Sequence, residues 1–168
     1  MTSQFDIRIM RETDIVAVFD VQSQVYVPEM VEPANLITAR LAASPQTCWV
    51  AEDSHGIGAY LMTYPSVHGK ISVLGADFQV ADPANALYLH DLAVAPRMSG
   101  QGVGQGLVQQ ALAFALAQQW HYACLVSVQD TSRFWQRLGF LPVANVQPEQ
   151  RAILQSYSGP AIYCVRQL

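Results

Sequence analysis

This sequence has no basic run and few charges. Charged residues make up 13% of the chain, and the formal net charge is −4. No stripe of Lys and Arg offers a nucleic-acid footprint, so nucleic acid is excluded as a partner. A mildly acidic surface suits a cationic or neutral small substrate. Cysteine is also sparse. Cys48, Cys124 and Cys164 sit in apolar stretches, form no CxxC pair and are odd in number. That pattern excludes a disulfide framework and reads as reduced core thiols. The stretch MTSQFDIRIMRETD lacks the apolar centre of a signal peptide. No uncharged apolar run is long enough to cross a bilayer. Together these absences predict a cytoplasmic protein without a membrane partner. His55, His68 and His121 show no metal-ligand spacing with any Cys or carboxylate, so no metal is expected.

What is present is apolar. Hydrophobic residues make up 51% of 168 residues, enough to bury the core of one domain over 1–168. No repeat or linker divides it. Phe5 to Met10 alternates as a strand, and Thr13 can cap a helix carrying Ile15, Val18, Phe19 and Gln22. Pro28 interrupts, and a second helix runs from Pro33 to about Ala43. Thr47 to Glu52 and Ile57 to Tyr64 form a hairpin about His55-Gly56, which Pro65 ends. Between Ser66 and Ala84 the pattern is ambiguous, with a short strand at Ile71 to Leu74 one reading. Leu87 to Val94 reads as a strand. Val103, Leu107, Val108, Ala111, Leu112, Ala115 and Leu116 make one helix face. Tyr122 to Val128 is a strand covered on both faces, and Thr131 to Leu138 a helix stopped by Gly139. Leu141 to Val146 and Ala161 to Arg166 complete the order β-α-α-β-β-β-α-β-α-β-β, an α/β (α+β) domain with a mixed, mostly antiparallel sheet flanked by helices.

The strongest chemical signal follows the strand at Leu87 to Val94. Gly100-Gln101-Gly102-Val103-Gly104-Gln105-Gly106 opens a helix. Glycines there let backbone N–H groups approach a ligand. With the positive end of the helix they make a site for a pyrophosphate. The dinucleotide fingerprint fails, because Gln105 and Leu107 stand where its third glycine must be. The P-loop fails as well, since Gly69-Lys70 is followed by Ile71.

Leu92-Ala93-Val94-Ala95-Pro96 followed by Gly100, Gly102 and Gly104 resembles the GNAT (Gcn5-related) N-acetyltransferase family. Its signature is Arg/Gln-x-x-Gly-x-Gly/Ala after such a strand. Ser99 departs from the pattern and removes one long side chain near the phosphates. A second element, Phe134-Trp135-Gln136-Arg137-Leu138-Gly139-Phe140, resembles the family's F-Y-x-x-L-G-F. The two elements span residues 87 to 141.

The resemblance implies a single-domain GNAT-type fold whose splayed strands hold acetyl-CoA. The pantetheine arm would pair with Leu92, Ala93 and Val94. The phosphates would lie on Ser99, Gly100, Gln101, Gly102, Val103, Gly104 and Gln105, with Phe134 and Trp135 beside the channel. It further implies acetyl transfer to a primary amine of a small molecule or peptide by direct attack on the thioester; similar proteins are often homodimers. His90 occupies the place of a proton-transferring histidine in arylalkylamine N-acetyltransferases. Its other reading is a core histidine beside Asp91. Asp91 is a second candidate base, or a carboxylate orienting its neighbour. By simple alternation Tyr88, His90 and Leu92 share one face of the strand. The usual acid is a tyrosine at the place of Trp135, and an indole N–H donates no proton. Tyr88 is the first substitute, with Tyr26, Tyr60 and Tyr64 as others. Tyr26, Glu29 and Tyr64 are candidate acceptor-binding residues, alongside Met30 and Glu32. The competing reading is a non-catalytic acyl-CoA-binding or regulatory module of the same fold.

Overall fold

A computed structural model describes residues 4–168. The first three residues of the stretch read as lacking a leader lie outside it. Among the described residues seven strands form one sheet, crossed by five α-helices. Their order is β1 (Asp6–Ile9), α1 (Ile15–Val25), α2 (Ala34–Ala43), β2 (Cys48–Asp53), β3 (Gly56–Ser66), β4 (Ala86–Val94), α3 (Val103–Ala117), β5 (Tyr122–Ser127), α4 (Ser132–Arg137), β6 (Leu141–Pro142), α5 (Pro148–Gln155) and β7 (Ile162–Gln167). In space the strands run β1-β2-β3-β4-β5-β7-β6. Every neighbouring pair is antiparallel except β4 and β5.

The sheet separates two cores. On one side Val18, Val21, Ile37 and Leu41 from α1 and α2 pack on Val50, Tyr60, Met62, Tyr88 and Ala93. On the other, Val103, Leu107, Val108 and Ala111 from α3 pack on Leu61, Leu87, Leu89 and Leu125. The helical spacing seen in the sequence is the buried face of α3. Its partner strands carry large apolar side chains on both faces, because helices cover both.

Four expectations need correction. Pro65 does not end β3: the strand continues to Ser66, with Pro65 opposite Leu87. Ile71 to Leu74 is no strand; Ile71 is a buried anchor whose N–H donates to Gln150 Oε1 at 2.7 Å. β6 holds two residues rather than six. An unexpected helix, α5, follows it, and the Tyr157 hydroxyl just beyond donates to Ser72 O at 2.6 Å. Thus α5 and the segment 67–85 are fastened to each other over the α1/α2 side of the sheet.

Two features of β4 set up the site. Its pairing with β5 covers only Ala86 to Tyr88 against Tyr122 to Cys124, so the two strands part beyond Tyr88. β4 also carries a bulge. Met62 faces Asp91 and Thr63 faces Leu89, which leaves His90 as the extra residue. An extra residue shifts the alternation by one. Tyr88 and Ala93 therefore lie in the α1/α2 core, while Leu92 and Val94 pack toward α3. The expected shared face of Tyr88, His90 and Leu92 does not exist. Leu92 is on the other side, and Asp91 has joined the side of Tyr88.

Candidate functional site

The parted strands open into a cleft of about 380 Å³, lined by Leu92, Val94, Met98, Ser99, Gly100, Gly102, Val103, Gly104, Gln105 and Phe134. Its floor follows from strand geometry. Ala95 N–H donates to Gly58 O at 2.8 Å, so Ala93 and Ala95 turn their backbone groups toward β3. Leu92 and Val94 then turn theirs toward the gap. The chain crosses above β3 at Gly58, where a β-carbon would meet Met98 Sδ and lie 2.7 Å from Arg97 Nη2.

The far end of the cleft is the first turn of α3. Gly100 and Gly102 have φ of +77° and +78°, the left-handed region that a side chain disfavours. A β-carbon on either would meet nothing within 4 Å, so the space beside them is open. No side chain caps α3; its first helical bond runs from Gly106 N–H to Gly102 O at 2.9 Å. The N–H groups of Val103, Gly104 and Gln105 are therefore left for a ligand at the positive end of a 15-residue helix. These donors and the open space beside the glycines fit a diphosphate group.

Not every expected cradle residue takes part. Ser99 lines the cleft, but its N–H is already bonded to Pro96 O at 3.2 Å. Gln101 turns back, its side-chain amide donating to Arg97 O at 3.0 Å. Ala93 is buried on the opposite face, and Trp135 lies in the core against Phe140, with ring centroids 5.5 Å apart. Phe134 takes the wall instead. Met98 was missed by sequence reasoning, since nothing in a lone buried methionine marks a cleft.

Around the bulge the structure gathers Asp91, Tyr26 and Tyr60. The Tyr26 hydroxyl donates to Asp91 Oδ1 at 2.6 Å, and the Tyr60 hydroxyl to Oδ2 at 2.7 Å. Tyr26 Oη also lies 3.3 Å from Leu92 O, at the edge of the gap. Burial raises the Asp91 carboxyl above its ordinary range, and the nearby Glu32 charge adds to this. The two hydroxyl bonds act in the opposite sense. Tyr60 was read from the sequence only as one of several substitute acids; its place beside Asp91 depends on the bulge register.

His90 packs edge-on against Phe78, with centroids 5.3 Å apart. Burial first, then the charge of Arg40, pushes its pKa down to about 3. Arg40 itself is buried. It donates to Ala76 O and to Glu32 Oε1 at 2.6 Å, tying α2, the α1–α2 turn and the segment 67–85 together. Tyr88 is buried against Tyr64, whose ring stacks on Phe78 at 4.4 Å. Neither Tyr88 nor Tyr64 lines the cleft. Glu29 is exposed in the short turn Pro28–Met30.

A profile of the acetyltransferase (GNAT) domain matches residues 44–142. The chain belongs to the GNAT acetyltransferase family. The match runs from just before β2 to the end of β6 and so contains the whole cleft of this GNAT domain. No curated protein sequence matches the chain. Solved structures agree on the GNAT fold. Ard1 from Thermoplasma volcanium superposes with a TM-score of 0.72 at 18% identity, covering 98% of each chain. A GphF GNAT-like decarboxylase in complex with isobutyryl-CoA gives 0.75 at 16% identity, covering 96% of this chain and 98% of its own. PaiA N-acetyltransferase from Thermoplasma acidophilum, in complex with coenzyme A, gives 0.71 at 13% identity, with both chains covered fully (100%). Among the described residues no cluster of His, Cys, Asp and Glu has the makings of a metal site, and no helix is long and apolar enough to cross a membrane.

Proposed function

We propose that this GNAT protein is a cytoplasmic N-acetyltransferase that takes acetyl-CoA and acylates a primary amine of a small molecule or peptide. The observation that carries this reading is the cleft. A gap between β4 and β5 runs into three uncapped N–H groups at the start of α3. Leu92, Val94 and Phe134 would line the pantetheine arm, and Gly100 to Gln105 would hold the diphosphate. The three buried cysteines agree with a reducing compartment.

A bound thioester supplies an activated carbonyl carbon; the amine nitrogen bonds to it, the C–S bond breaks, and the sulfur leaves as coenzyme A thiol. The protein has two tasks in that exchange. A backbone N–H turned into the gap near Leu92 or Val94 stabilises the negative oxygen. A proton acceptor makes the amine nucleophilic, against a free pKa of about 10.

Among the candidates, Asp91 is favoured as that acceptor. A carboxyl raised by burial holds a proton better than an ordinary one, and two tyrosines fix its orientation. His90, with its pKa near 3, is a weak acceptor and serves as a neutral wall of the acceptor side. Tyr88 is sealed in the core, which leaves the proton held by Asp91 as the source for the departing thiolate. Tyr26 then bridges the acid to the gap, with Glu29 at the acceptor mouth and Tyr64 supporting the wall from behind.

One observation favours the second reading, a non-catalytic acyl-CoA-binding module. Trp135, at the place of the usual tyrosine, is buried and packs on Phe134 and Phe140. Incubation with acetyl-CoA and a panel of primary amines separates the two. Release of free thiol above the hydrolysis background with at least one amine is the expected outcome. Calorimetric uptake of acetyl-CoA without thiol release from any amine supports the module. Absence of uptake by the folded protein defeats both.

A further inference from the structure

Three elements ring the approach to Asp91 on the α1/α2 side of the sheet. The first is the segment 67–85, which contains no helix or strand. Its backbone is pinned instead by neighbours. Gly69 N–H donates to Tyr163 Oη at 2.9 Å, and Ile71 N–H to Gln150 Oε1 at 2.7 Å. Ser72 O accepts from Tyr157 Oη at 2.6 Å, and Ala76 O from Arg40 Nη2 at 2.9 Å. Phe78 then stacks on Tyr64 of β3. These anchors run from β7 and α5 to α2 and β3, so the segment crosses the two strands that lie between, β5 and β4.

The crossing is close-packed. On the face it covers, Tyr64, Tyr88, Cys124 and Tyr163 are at most 2% exposed. His90 and Asp91, farther along β4, keep partial exposure. Phe78 marks the edge of the cover, since its ring meets His90 edge-on. The sheet therefore emerges from beneath the segment at the bulge, beside the carboxyl favoured as proton acceptor.

The second element is the α1–α2 turn. Tyr26 ties it to Asp91, and the Gln22 side chain holds the backbone N–H and C=O of Glu32 at 2.9 and 3.0 Å. Arg40 sews this turn to the cover, because it donates both to Glu32 Oε1 and to Ala76 O. The third element is the β5–α4 loop, where Gln129 Nε2 lies 3.1 Å from Met30 Sδ of the turn. Contacts thus join the cover to the turn and the turn to the loop. A polypeptide that presents an internal lysine needs a groove open at both ends, in which the chain can lie. A closed rim admits an amine end-on, as a concave small-molecule site does. Each element also adds an exposed carboxylate, Asp77, Glu29 and Asp130, which suits an arriving ammonium group.

We infer that the acceptor is a small free amine, and that the pinned segment 67–85 keeps polypeptides from Asp91. This rests on the transfer reading above, and the test keeps the two apart. Thiol release from acetyl-CoA is followed with n-butylamine, with putrescine and with a short peptide carrying a free N-terminus and an internal lysine. In the wild type kcat/KM for the better small amine should exceed that for the peptide at least about tenfold. The double variant Gln150→Ala/Tyr157→Phe frees the segment from α5 and leaves Tyr26, Tyr60 and Asp91 in place. It should narrow the ratio at least about threefold, because two bonds that hold the cover are gone. A peptide used by the wild type as well as the small amines overturns the inference, whatever the stability of the variant. An unchanged ratio in a folded variant that still takes up acetyl-CoA overturns it too. Uptake of acetyl-CoA by the wild type with no thiol release from any of the three overturns the transfer reading, and this inference with it.

Discussion

Replacing Gly104 with alanine should raise stability and weaken binding of coenzyme A. Gly104 lies in the first turn of α3, and its φ is not among the positive ones. A β-carbon there would sit 3.5 Å from Phe134 Cζ and 3.6 Å from Val94 Cγ2, ordinary contact distances. No clash opposes the change, so it should gain helix propensity of up to about 1 kcal/mol. For a chain of this size that raises Tm by about 2–4 °C. The same methyl group would enter the cleft between Phe134 and Val94, beside the helix N–H groups that would hold a phosphate. Hydrogen bonds to a charged acceptor contribute about 1.5–3 kcal/mol each. Displacing one should weaken coenzyme A about tenfold to a hundredfold. Gly102→Ala is the control. Its φ of +78° strains an alanine, and a β-carbon there meets nothing. That variant should lose about 1–2 kcal/mol of stability. Thermal unfolding and calorimetry on both variants decide the matter. Unchanged affinity for Gly104→Ala would refute the reading of this turn as a phosphate cradle, and a lower Tm would refute the absence of a clash at residue 104.

Two carboxyls should respond to pH in opposite senses. Asp91 is raised by burial, so its contribution is full below the unfolded value near 3.9 and is lost as pH climbs toward the folded one. Asp91→Asn should therefore be at least as stable as the wild type at pH 7 while acyl transfer falls by about 10²–10⁴-fold; a large drop in Tm with turnover intact contradicts the role given to it. Asp14 is lowered, chiefly by its hydrogen bond from Arg8. Its stabilisation is present above the unfolded value and disappears as pH falls through the folded one. Asp14→Asn should flatten the acid limb of the stability–pH curve below about pH 4, and an unaltered limb in chemical denaturation would show that the pair contributes nothing.

How much of this was legible beforehand differs from place to place, for physical reasons. The glycine loop could be read because it rests on a backbone requirement, the positive φ that glycine takes up at residues 100 and 102. The face of α3 could be read because its period is local. Phe134 and the rest of the F-W-x-x-L-G-F element were placed beside the cleft, but which ring faces it depends on how α4 is rotated against α3. Trp135 was offered as a wall and proved to be core. The helix α5 escaped notice because none of its eight residues is fully buried and its apolar residues Ala152, Ile153 and Leu154 form one short run. The acceptor side was the least accessible. Tyr64 was read as a pocket residue and is part of a stack. Tyr60 was offered only as a substitute acid, and its place beside Asp91 carried no signal, because its neighbour is chosen by pairing between β3 and β4.

The bulge at His90 makes the position of the acid a matter of counting. Every residue of β4 before it obeys one parity and every residue after it the other. A substitution at 90 can change what that side chain does, yet leaves Asp91 pointing where it points. Loss of a single residue there would carry the carboxylate through the sheet to the α3 side, away from both tyrosines, with no change in composition elsewhere. For this strand, reactivity is written in the number of residues as much as in their kind, and insertions or deletions are the mutations it tolerates least.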